Sequence, residues 1–166
     1  MRKYVAYLII FLLPLLLCAC STLFGSKEQA KKVTVMVNST ATVNPDSLGQ
    51  NAPIAVTFYQ LSKENAFMKA NYNDLNNNSN KVLGDTLIEK TTWVIPAGTD
   101  NKKFSLTIQP GCHTLGIVAA YRDLSNKTWK TTLSCHAAHS GVNVWVNAKQ
   151  LLVKKREHID LRTIRL

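Results

Sequence analysis

Four cysteines invite different chemistries. Cys18 and Cys20 stand two apart at the end of an apolar run, in Leu15-Leu-Leu-Cys-Ala-Cys-Ser-Thr-Leu-Phe-Gly25. That spacing could serve a redox couple, half of a metal site or a processing signal. Cys112 and Cys135 lie far along the chain, each followed by a histidine (His113, His136), with His139 three residues beyond. Thiolates and imidazoles together are a zinc donor set. The i, i+3 histidine pair needs a helix to bring both rings to one side, yet this segment reads as a strand end and turn. No carboxylate accompanies it, and oxidation of the two thiols would remove both thiolate ligands. The expectation is surface histidines beside a turn, with no metal and no cofactor. Templates for catalysis are missing: no Gly-x-Ser-x-Gly elbow, no glycine-rich phosphate loop and no His-Glu-x-x-His. The ten carboxylates are scattered and nominate no acid–base pair. No catalytic residue is assigned, and an enzyme is not expected.

The first cysteine pair is explained by what precedes it. Arg2 and Lys3 are followed by the uncharged run Tyr4 to Leu17, 14 residues long, short of the roughly 20 that span a bilayer as a helix. A basic start, a short apolar stretch and small residues at its end describe a secretory signal. Leu17-Cys18-Ala19-Cys20 fits the bacterial lipobox, with small Ala19 before Cys20, whereas Cys18 follows bulky Leu17. Cleavage after Ala19 discards Cys18 and leaves Cys20 as the acylated first residue. Ser21 in the next position, rather than Asp, points to the outer membrane on its periplasmic face. Removing residues 1–19 leaves 147 of the 166 residues, enough for one domain with a core. The charge falls from +10 to +8, with 18 basic against 10 acidic residues. That balance suits an acidic partner or an anionic lipid surface, and equally a solvated surface with no target. Nucleic acid is a poor candidate for an exported, tethered protein.

Residues 20–32 read as a lipidated tether, residues 33–155 as one β domain and residues 156–166 as a basic tail. The tail interleaves Arg156, Arg162 and Arg165 with Ile159, Leu161, Ile164 and Leu166. Within the domain, Val33-Thr-Val-Met-Val37 alternates as a strand, and Ile54 to Leu61 is a second. Between them, residues 38–53 form an aperiodic loop rich in Asn, Ser, Thr and Pro. Its length marks it as functional or as a flexible connection. Residues 62–80 break the β pattern and predict one or two short helices, with Ser62 as N-cap and an Asn-rich turn at the end. Strands return over 86–95, 103–109, 112–122, 127–135, 142–146 and 150–154, punctuated by Pro96-Ala-Gly98, Pro110-Gly111 and Asp123 to Asn126. Eight short strands with one helical insert suggest a β-sandwich.

Cys112 and Cys135 are the cysteines left in the mature domain, an even pair in an exported protein and so a disulfide candidate. A hairpin centred on Asp123–Leu124 pairs residues whose numbers sum to 247, which sets Cys112 opposite Cys135 and Val118 opposite Trp129. The turn lacks an Asn-Gly or Asp-Gly signal that would fix this register.

One succession of motifs carries further. Asn44-Pro45-Asp46-Ser47-Leu48-Gly49-Gln50-Asn51-Ala-Pro53 leads into a strand ending Tyr59-Gln60-Leu61. Phe67, Asn71-Tyr72-x-x-Leu75, Leu83-Gly84, Pro96-x-Gly98 and Gly116-Ile-Val-Ala-Ala-Tyr121-Arg122-Asp123-Leu124 follow, with Trp129 behind. Over about residues 33 to 153 this order resembles the TssJ family, outer-membrane lipoproteins of the bacterial type VI secretion system. The resemblance implies a mainly β, transthyretin-like sandwich of two four-stranded sheets with a small helical insertion. It also implies anchoring of the trans-envelope complex by binding the periplasmic C-terminal region of TssM, and through it an indirect link to TssL. The loop between the first two strands takes part in that contact in the family. Here the implied partner-binding residues are Asn44, Pro45, Asp46, Ser47, Leu48, Gly49, Gln50 and Asn51, with Leu48 as the apolar anchor. Gln50 departs from the arginine common in the family, and neither the cysteine pair nor the tail is carried over from it. Tyr59, Phe67, Tyr72, Tyr121 and Trp129 are expected in packing. An independent periplasmic module for a small ligand or glycan is the alternative.

Overall fold

The computed structural model describes residues 28–156. The leader 1–19, Cys20, the tether up to residue 27 and the tail beyond Arg156 lie outside the described residues. The eight strands are β1 (Lys31–Ser39), β2 (Ile54–Leu61), β3 (Leu87–Ile95), β4 (Lys102–Ile108), β5 (Thr114–Ala119), β6 (Lys130–Ser134), β7 (Val142–Val146) and β8 (Leu151–Lys155). They form two four-stranded sheets, ordered β4-β1-β7-β8 and β3-β2-β5-β6. All pairings are antiparallel except β1 with β7.

Alternation dictates this arrangement. In β1, Val33, Val35 and Val37 point inward and are buried, while Lys32, Thr34 and Met36 point outward. Ile54, Val56 and Phe58 of β2 meet them from the other sheet, joined by Leu106, Leu115, Ile117 and Val144 in one inter-sheet core. The other parity of β2 serves a second core. Tyr59 and Leu61 pack with Phe67, Ala70, Leu75, Leu83 and Val118 beneath the helices that follow β2.

Those helices are α1 (Asn65–Lys69) and α2 (Tyr72–Leu83), followed by a 3-10 turn, Gly84–Thr86. The insert therefore runs past its expected end at residue 80. The Asn-rich stretch is helical, bent at Asn78, because Leu75, Ser79 and Leu83 recur every four residues on the buried side. Ser62 does not cap a helix. Asn71 does: its side chain accepts from the Asp74 amide and the Asp74 carboxylate accepts from the Asn71 amide, a reciprocal cap. Phe67 can lie flat on the sheet because Gly116 faces it; a Cβ there would stand 2.6 Å from the ring. Lys130 of β6 closes the end of α1, its ammonium donating to the carbonyls of Phe67, Met68 and Ala70 at 3.2, 2.8 and 2.8 Å.

The β5–β6 register differs from the expected one by a residue. Thr114 faces Ser134 and Val118 faces Lys130, not Trp129, so paired numbers sum to 248. Cys112 and Cys135 are nonetheless joined in a disulfide, with Cα atoms 5.8 Å apart. They are not opposed ladder partners. Cys112 lies in the turn before β5 and Cys135 opens a one-turn helix, α3 (Cys135–Ala138). The turn at Asp123 to Lys127 sets the slip: Asp123 accepts from the Ser125 amide, and Asn126 takes a positive φ of 55°. An Asx turn with a left-handed residue is longer than a two-residue hairpin turn.

Candidate functional site

The strands run between two poles. β1 ends at one with Ser39, and the loops 40–53, 96–101, 120–129 and 147–150 gather there. Backbone bonds stitch them: the Gly98 amide donates to Thr40, the Thr40 amide to Val146 and the Thr128 amide to Lys149. At the other pole the described chain enters. The Glu28 carboxylate accepts from the Gly111 amide, and the disulfide, α3 and the end of β8 lie around it. The β1–β2 loop is thus carried at the end of the domain opposite Glu28, where the described chain begins.

The loop has a buried root and an exposed tip. Val43 is fully buried and Asn44 nearly so. The Asn44 side chain donates to the Pro53 carbonyl and accepts from the Arg122 amide, tying the loop to the end of β5. Beyond it, Pro45 and Asn51 form a bridge, and residues 46–50 make a small closed turn. The Asp46 carboxylate accepts from the Leu48 and Gln50 amides at 2.9 and 2.8 Å. The Asp46 amide donates to Gln50 and the Gly49 amide to Asp46. Gly49 takes φ +74°, which few side chains tolerate, and so lets the turn close. Leu48 is left at the tip with 80% of its surface exposed. Ser47, Gly49, Gln50 and Asn51 are exposed around it.

The structure divides the eight residues named from the sequence. Asn44 and Asp46 spend their polar groups on holding the loop in place, whereas Leu48, Gln50 and Asn51 are exposed. Sequence reading missed a groove beside the loop root, about 340 Å³, with Thr40, Gly98, Asp100, Trp145 and Leu152 among its walls. Its signal was the odd placement of Trp145 and Leu152 on the outward parity of β7 and β8, where they face each other across the ladder.

The segment read as a strand end and turn is the one-turn helix α3, with His136 inside it and His139 at its C-terminal end, ring centres 6.0 Å apart. Among the described residues no three of His, Cys, Asp and Glu gather as metal ligands. Partial burial, with Lys31 and His136 nearby, holds His139 below the ordinary imidazole value, while Glu28 opposes the shift. The aromatic residues pack as expected. Tyr59 donates its hydroxyl to the Leu75 carbonyl and is pushed by burial to about 12; Tyr72 meets Trp129 edge to face. Tyr121 donates to the Asn147 carbonyl and is raised by burial.

The two sheets make a β-sandwich that pins the root of one loop in its core and leaves the tip exposed. The chain belongs to the type VI secretion lipoprotein family of VasD, EvfM, TssJ and VC_A0113, which it matches over residues 31–157. Among solved structures it is similar to the lipoprotein TssJ1 from Pseudomonas aeruginosa, at 28% identity and TM-score 0.68, over 78% of this chain and 98% of that one. It is also similar to Serratia marcescens Lip, a membrane-bound component of the type VI secretion system, at 21% identity and TM-score 0.67, over 75% and 97%. A chain in the structure of the TssM C-terminal domain from EAEC shares the fold, at 16% identity and TM-score 0.61, over 74% and 97%. No curated protein matches the chain. No described helix is long and apolar enough to cross a membrane.

Proposed function

We propose that this chain, acylated at Cys20, fixes the type VI secretion membrane complex to the outer membrane by binding the periplasmic C-terminal region of TssM through the tip of the β1–β2 loop. TssL is then linked indirectly. The observation that carries the reading is the loop itself, held rigid by Asn44 and Asp46 at the pole opposite the tether, with Leu48 exposed. A preorganised loop loses little entropy on docking, and a protruding leucine fits an apolar pocket surrounded by polar contacts. Family membership supports the partner, as does the likeness to a chain from a TssM structure.

Binding of the mature domain to the TssM periplasmic region is the test. Leu48→Ala should weaken it about tenfold, a loss of roughly 1.4 kcal/mol. His136→Ala at the other pole should leave it unchanged. Binding that survives deletion of residues 46–50 would sink the loop as the interface.

A further inference from the structure

The two sheets differ on their outer faces. The insert covers β3-β2-β5-β6, whereas no helix packs on the outer face of β4-β1-β7-β8 among the described residues. Register puts Lys32, Lys103 and Lys154 on that bare face, and Arg156 follows two residues after Lys154. All four are exposed. No carboxylate occupies an outward strand position; Asp100 stands at the rim of the groove. Trp145 and Leu152, 41% and 40% exposed, lie on the same face one outward row beyond Lys103 and Lys154, toward the loop pole. The insert is balanced instead, with Lys63, Lys69 and Lys81 against Glu64, Asp74 and Asp85.

We propose that the bare face lies on an anionic phospholipid surface, its cations on lipid phosphates and Trp145 at headgroup depth. Basic residues near such a surface each raise partition roughly fivefold, and tryptophan favours the membrane interface. Screening confines the attraction to about 8 Å at physiological salt, so the face must be brought into contact. The tether does this, a step that rests on the acylation reading. Eight residue steps separate Cys20 from Glu28, at most about 28 Å of chain, similar to the roughly 30 Å length of β1. The mixed charges on the insert give the other face no such attraction. The domain then rests on its bare sheet, and the β1–β2 loop projects along the membrane plane rather than into the bilayer.

The test uses the chain from residue 20 with Cys20→Ser, so that no acyl chain contributes, and vesicles of phosphatidylcholine with or without phosphatidylglycerol. Partition should require phosphatidylglycerol, fall with salt and drop about 25-fold in the double variant K103Q/K154Q, roughly fivefold for each lysine. Brominated lipid should quench tryptophan emission, and the quenched component should vanish in Trp145→Phe. Equal partition on both vesicle types, an unaffected double variant or unquenched Trp145 would each overturn the proposal. So would a double variant that keeps its lipid partition but loses the TssM region, which would assign the face to a protein. Leu48→Ala should leave partition intact. Absence of acyl chain on the native protein would defeat the anchoring reading and leave this measurement standing.

Discussion

β1 and β2 are neighbours in sequence but live in different surroundings. β1 alternates, with its valines inward and Lys32, Thr34 and Met36 facing solvent. β2 begins the same way and then is buried on both sides from Phe58 to Leu61. The insert makes the difference, since Phe67, Leu75 and Leu83 turn the outer side of β2 and β5 into a second interior. A strand covered on both faces loses the reason to alternate. The run Leu115-Gly-Ile-Val-Ala119 therefore reads as continuous, and Val142-Asn-Val-Trp-Val146 as alternating. The chain spends its apolar residues where stability is made and leaves lysines where a surface is offered.

That contrast can be broken most sharply by matched truncations of two aromatic side chains. Phe67 is fully buried against Gly116, and its replacement by alanine should cost about 3–5 kcal/mol. Trp145→Ala on the bare face should change stability by no more than about 0.5 kcal/mol. Denaturant unfolding of both variants measures the pair. Similar losses would mean that the bare face is packed against something.

The eight strands were legible because period-2 alternation is imposed by the backbone itself, and Val142 to Val146 was placed to the residue. Helix ends were less legible. Ser62 looked like a cap because its residue type favours that position, but the structure uses Asn71 and Asp74, whose reciprocal bonds satisfy two amides instead of one. The hairpin register escaped because a three-way choice of turn geometry shifts every pair, and local sequence at Asp123 to Asn126 does not rank the options. At the candidate site, Leu48 was legible as the apolar residue nearest the loop tip, and it is exposed there. The internal role of Asn44 did not, since its partner Arg122 lies 78 positions away.

The disulfide belongs to the covered sheet, and its loss tests how that sheet is held at the tether pole. It closes a loop of 23 positions between the turn before β5 and the start of α3. Constraining such a loop in the unfolded chain is worth about 3 kcal/mol. The double variant C112A/C135A, or wild type with reductant, should lose that much by thermal or denaturant unfolding. Binding to the TssM region at the opposite pole should be unchanged in the folded variant, because every hydrogen bond of the loop root lies at the far end of the strands. A matched loss of binding would show that the two poles are coupled through β5.

The smallest effect on stability falls on the loop, where Asp46 and Leu48 separate by what their side chains hold. Asp46 is engaged with two amides of its own turn, and these bonds lie in solvent. Asp46→Ala should therefore cost less than about 1 kcal/mol of global stability. It should nevertheless weaken partner binding, because the freed turn must be reordered on docking. Asp46→Asn keeps an oxygen acceptor in place and should retain both turn and binding. Leu48→Ala should leave the turn ordered and lose binding through the contact alone. Amide hydrogen exchange at Leu48 and Gln50, read beside affinity, distinguishes the cases. Fast exchange with weak binding is expected for Asp46→Ala, slow exchange with weak binding for Leu48→Ala. If Asp46→Asn lost affinity while its amides stayed protected, the carboxylate charge itself would be touching the partner, and Asp46 would move from the frame of the loop to its contact surface.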